Sequence, residues 1–227
     1  MKNLKNVLRA FTLAEILITL TIVGVVARLT LPALTQNVLE QQTAATFAKA
    51  INTLENVNQK ILLDKNSKTL SSACSSFRGY GSCLNNYLNG TYKSTRISNT
   101  LKLSNSTLTT KDGINYIFPA AILLPPDVQN PNRPAKYYGS TYQIIIDTNG
   151  TKGPNKIGKD RFRIYVDYYG QVIPHGGAQY AEYSNSNTIL WNTGCPSRKT
   201  VKPTNAESCS GSIADNGYKI LYGFNAL

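Results

Sequence analysis

The first 34 residues constrain this chain more than any others. A basic decapeptide, MKNLKNVLRA, precedes FTLAEILITLTIVGVVARLTLPAL. Residues 11–34 would rise about 36 Å as a helix, enough to cross a bilayer core about 30 Å thick. Only Glu15 and Arg28 carry charge within that run. A buried core helix would show a polar face, and residues 16–27 offer only Thr19 and Thr21. A secretory signal shares the basic start and apolar middle, but it does not usually carry a carboxylate at the entrance to the apolar run. Such a group costs about 2.5–3.5 kcal/mol at the centre of a bilayer. Glu15 therefore implies either a place near the membrane edge or a positive partner. A buried core helix, a cleaved secretory signal and a retained membrane anchor all remain open on these residues alone.

FTLAE behind a short basic leader resembles the class III signal of type IV pilins and type II secretion pseudopilins. The resemblance implies that a prepilin peptidase cuts between Ala10 and Phe11 and methylates the Phe11 amine. Glu15 then becomes the fifth mature residue, and Gly24 and Pro32 fall where the family's long helix carries a glycine and a helix-loosening proline. Two residues depart from the family pattern: Ala10 stands where glycine is usual, and Arg28 interrupts a stretch usually kept apolar. The implied function is a structural subunit that assembles through its amino-terminal helix, with the Phe11 amine of one copy facing Glu15 of another. Its implied partners are the peptidase, other pilin or pseudopilin subunits and the inner-membrane assembly machinery. Lys2, Lys5 and Arg9 stay cytoplasmic, which places the carboxyl-terminal bulk outside. The expected location is the inner membrane, as a single-pass protein with an extracytoplasmic head, and then a filament or pseudopilus. Arg28 lies about 25 Å along the helix from Phe11, where its long stem can snorkel to the outer headgroups.

Beyond Pro32 the pattern becomes amphipathic. Ala44, Phe47, Ile51, Leu54, Val57 and Ile61 recur every three or four residues, opposite Gln41, Lys49, Asn52, Asn56 and Lys60. One helix over residues 11–63, kinked near Pro32, accounts for both halves. Residues 64–76 are polar and end it. From Cys74 onward, strands and turns are expected, with strands at 101–103, 106–110, 114–118, 141–146, 161–166 and 171–173. A hairpin turn is expected at Lys111-Asp112-Gly113. Residues 125–136 hold four prolines and no strand pattern. The expected fold class is α+β, a pilin-like lollipop with an antiparallel sheet packed on the helical stripe. Its parts are a leader (1–10), a transmembrane and assembly helix (11–34), an amphipathic continuation (35–65) and a β-rich head (66–227).

The cysteines fit an oxidising compartment. Cys74 and Cys83 are close in sequence, as are Cys195 and Cys209, and no CxxC spacing occurs. Local pairing would staple two loops, the larger worth about 3 kcal/mol in the chain-entropy model, although four cysteines allow three connectivities. The second loop also resembles the disulfide-bounded region of many pilins. Enzymatic chemistry is disfavoured, because a lone His175 excludes any second-His metal site or His pair.

The charge is +12, and removing the three leader cations leaves +9. That excess brings nucleic acid or another anionic polymer into consideration. Asp147, Asn149 and Gly150 give the opening of a calcium-loop pattern, Asp160 lies ten residues beyond as a further candidate ligand, and the resemblance adds that major pseudopilins carry calcium in a head loop. Against that, the terminal glutamate of an EF-hand loop is missing, and Lys152, Lys156, Lys159, Arg161 and Arg163 crowd the same segment. No cofactor is expected, with Ca2+ as the alternative. Those basic residues, followed by Tyr165, Tyr168 and Tyr169, suit a single strand held by charge and stacking. The alternative function is thus an adhesive or DNA-binding minor pilin using Lys156, Lys159, Arg161 and Arg163. The same alternation also suits an ordinary half-buried strand.

Overall fold

A computed structural model describes residues 11–74, 79–96, 104–119, 142–178, 195 and 203–220. The chain divides into two compact units at Leu39 and Glu40. Helix α1 (Leu13–Asp64) contributes to both and contains Pro32. In the first unit every side chain from 11 to 39 is exposed except Ala27 and Gln36, which are half-buried.

In the second unit α1 buries Ala44, Phe47, Ala50, Ile51, Leu54 and Ile61. Gln41, Lys49, Asn52, Asn56 and Lys60 are exposed, as the helical period requires. The helix stops because Asn66 adopts φ 45°. There the Ser67 N–H reaches back to Leu62 O (2.9 Å) and the Asn66 N–H to Leu63 O (3.0 Å), a Schellman ending. A short α2 (Leu70–Ala73) follows, with Thr69 as its cap.

Six strands make one antiparallel sheet in which spatial order follows chain order. They are β1 (Thr91–Arg96), β2 (Ser104–Thr109), β3 (Asn115–Phe118), β4 (Tyr142–Asp147), β5 (Arg161–Val166) and β6 (Val172–Pro174). Five of the expected strands appear within two residues of their expected bounds, while 101–103 and the proline-rich 125–136 lie outside the described residues. The β2–β3 turn forms where expected. Gly113 takes φ 86°, and its N–H bonds Thr110 O at 3.0 Å.

Two departures concern the stretch after Cys74, expected to be strands and turns. Helix α3 (Tyr80–Leu88) forms there instead, burying Tyr80 and Leu84 one turn apart and ending at Asn89 in the left-handed region. Strand β1 was also not anticipated, since TYKSTR carries one apolar residue and lies at the sheet's edge. A 3-10 turn (Ala206–Ser208) leads into α4 (Cys209–Asp215).

The register puts Tyr142, Ile144 and Ile146 opposite Val166, Ile164 and Phe162 on one sheet face. That face belongs to the core that holds the α1 stripe. Phe47 and Phe162 bring ring centroids to 4.7 Å, and the Tyr116 hydroxyl donates to Ala50 O. The protein is therefore α+β, a long helix with an antiparallel sheet. Tyr80 Oη donates to Asn58 Oδ1, and Asn58 Nδ2 donates to Gly170 O at 2.9 Å. The core's buried amide is thereby paired on both sides, as a dry interior demands.

Candidate assembly segment and head loop

Thr12 and Glu15 build the start of α1 reciprocally. Glu15 Oε2 accepts from the Thr12 N–H (2.8 Å) and hydroxyl (2.9 Å), while Thr12 Oγ1 accepts from the Glu15 N–H (3.3 Å). This is a capping box, which satisfies amides that the first turn leaves without partners. The T-x-x-E spacing of Thr12 and Glu15 was legible in the sequence as that signature. Further along, the hydroxyls of Thr19, Thr21, Thr30 and Thr35 donate to carbonyls three or four residues back (2.8–3.0 Å). Each threonine is satisfied within its own helix, the condition an apolar solvent imposes. The helix is long and apolar enough to cross a membrane. Phe11 is 81% exposed, and Ala10 lies outside the described residues. Gly24 is open, with nothing within 4 Å of a Cβ placed there.

In the head, the β4–β5 connection brings Asp147, Asn149 and Asp160 together. Asn149 Nδ2 donates to Asp160 Oδ2 at 3.0 Å, as does the Asn155 N–H at 2.7 Å, and the Lys156 N–H donates to Asp160 Oδ1 at 2.6 Å. Asp147 is fully buried and takes Arg161 Nε at 2.8 Å, while Arg161 Nη2 also donates to Asn155 Oδ1. Burial pushes the Asp147 carboxyl above its ordinary range, and the guanidinium opposes that shift. Asn149 Oδ1 is buried and accepts nothing. Calcium requires six to eight oxygen ligands, so it would have to displace a guanidinium and several N–H donors here. Among the described residues no three His, Cys, Asp or Glu side chains converge as a metal site.

The four basic candidates share this region with unequal exposure. Lys156 is exposed, Lys159 and Arg163 are half-buried, and Arg161 is engaged inward. Arg161 and Arg163 alternate with the buried Phe162 and Ile164, as a half-buried strand does. Of the three nearby tyrosines, Tyr165 is buried, Tyr168 half-buried and Tyr169 exposed, so stacking by all three would require repacking. The lone histidine, His175, lies beside Tyr165 at 5.6 Å between rings. Burial and the Arg163 charge lower its pKa to about 4.

The cysteines pair as expected, Cys74 with Cys83 and Cys195 with Cys209. No family model, curated protein or solved structure matches the chain. Sequence reasoning missed the Asp147–Arg161 pair, although a β4–β5 hairpin would have set these two residues opposite each other in register. It also missed the Asn58–Tyr80 pair, which no spacing announces.

Proposed function

We propose that this chain is a structural subunit of a type IV pilus or type II secretion pseudopilus. A prepilin peptidase processes it, the apolar half of α1 inserts it in the inner membrane, and assembly with further subunits follows through that helix. It carries no catalysis of its own. The observation that carries the reading is FTLAE at the head of an exposed apolar helix, directly behind a basic leader. The internally satisfied threonines support a lipid or helix-packed surrounding, and the two disulfides support a head outside the cytoplasm. In the isolated chain Glu15 caps its own helix. On assembly its carboxylate also receives a neighbour's Phe11 amine.

The deciding experiment is the mass of the mature amino terminus in protein extracted from membranes. The expected species begins at Phe11 with one methyl on its amine. A species that begins at Met1, or after Ala27 or Ala33, overturns the reading.

A further inference from the structure

Residues 11–39 contain two charged side chains, Glu15 and Arg28, and both are exposed on α1. They cannot meet within one chain, because positions 15 and 28 lie about 20 Å apart along the axis and about 140° apart around it. The next carboxylate in sequence, Glu40, is buried in the second unit. Among the described residues neither charge has an opposite partner, and each stands on an apolar surface, where charge is costly in lipid.

We infer that Arg28 pairs with Glu15 of a second copy of this chain, setting parallel helices about 20 Å out of step. One chain type supplies both signs, so its two charged side chains meet between copies only at that offset. The two charges lie on different sides of the helix, so each copy offers Glu15 to one neighbour and Arg28 to another. Such a contact is heterologous. Its repeat includes a translation along the axis, which rotation cannot cancel, so it closes no ring and generates an open helical array. Glu15 has capacity for it. Both Thr12 bonds fall on Oε2, and an ionised carboxylate offers two oxygens with about four lone-pair sites. A guanidinium fork can engage it alongside a neighbour's amine. This inference rests on the proposed assembly through α1 and adds its register.

The test uses the full chain in membranes. Arg28→Gln should lower the sheared filament fraction about tenfold or more, the order expected when one member of a desolvated charge pair is removed, and should leave insertion intact. Arg28→Lys should restore most of the loss. Independently, the double variant Thr19→Cys/Leu31→Cys keeps both charges and places the thiols on one side of the proposed seam at nearly the same height, four residues beyond Glu15 and three beyond Arg28. Oxidation of its filaments should give a disulfide ladder running past the dimer, absent from either single variant. If Arg28→Gln assembles as well as the unmutated chain, or the double variant's filaments give no ladder, the register is wrong while assembly through the helix stands. If the unmutated chain forms no filament, both fall together.

Discussion

Glu15 and His175 are ionisable groups in opposite situations, one exposed on an apolar helix and one buried in a sheet. Replacing Glu15 by Val removes the proposed partner of a neighbour's amine while making the helix more apolar. Membrane insertion and leader cleavage should persist, and the sheared filament fraction should collapse; a Glu15→Val chain that assembles normally would remove the residue from the assembly contact. For His175 the folded pKa of about 4 lies below the ordinary 6.5. The folded state thus binds the proton less tightly than the unfolded one. The associated stability is full above pH 6.5 and is lost as pH falls towards 4, about 3 kcal/mol in all. Urea unfolding of the chain at pH 7, 5.5 and 4.5 should show this decline, and His175→Phe should flatten it. At this scale a sequence can disclose residues whose role follows from near neighbours, although the Thr12–Glu15 cap was not read from it. The Thr12–Glu15 box lies within one turn, whereas the Asp147–Arg161 pair needs a register that only the folded hairpin supplies.

Helix α4 illustrates how elements are held as well as formed. Its Gly211 N–H bonds His175 O at 2.9 Å just beyond β6, and the two backbones nearly touch. A Cβ on Gly211 would lie 2.0 Å from Gly177 N and 2.4 Å from its Cα. Gly211→Ala should therefore destabilise the chain by about 1–3 kcal/mol or more, since backbone cannot yield as a side chain can; thermal unfolding measures this. The first residue of α4, Cys209, is tied to Cys195. Replacing both by Ser should cost about 3 kcal/mol, and non-reducing peptide mapping of the unmutated chain should recover both local pairs. Strand β5 was readable because Phe162, Ile164 and Val166 recur at alternate positions. Helix α3 was not, because YGSCLNNYL is full of poor helix formers. Its helicity follows from burying Tyr80 and Leu84, a tertiary fact. Strand β1 faced the converse difficulty, since an edge strand has few apolar residues to announce it.

For the molecule as a whole, the division at Leu39 separates residues 11–39, exposed throughout but for two half-buried positions, from a unit with its own core. A chain beginning at residue 36 should therefore dissolve without detergent as a monomer carrying both disulfides, whereas the full chain should require detergent. Gel filtration with thiol counting checks this, and aggregation of the shortened chain would count against an independent head. The long apolar segment ahead of a more polar remainder was legible from hydropathy alone, because solvent preference is written locally. The packing partners of α1 were not, since Phe47 meets Phe162 from far along the chain. On the proposed function, that separation matters while the head crosses the membrane. From β2 onward each strand pairs with the one before it, so a head that emerges from residue 40 onward, its amino terminus held inside, can lay down its sheet in order. Elements up to β4 cover part of the helix stripe, but Phe47 lacks its ring partner Phe162 until β5 emerges. A chain that ends before residue 161 should be degraded by envelope proteases, and the full chain should resist them.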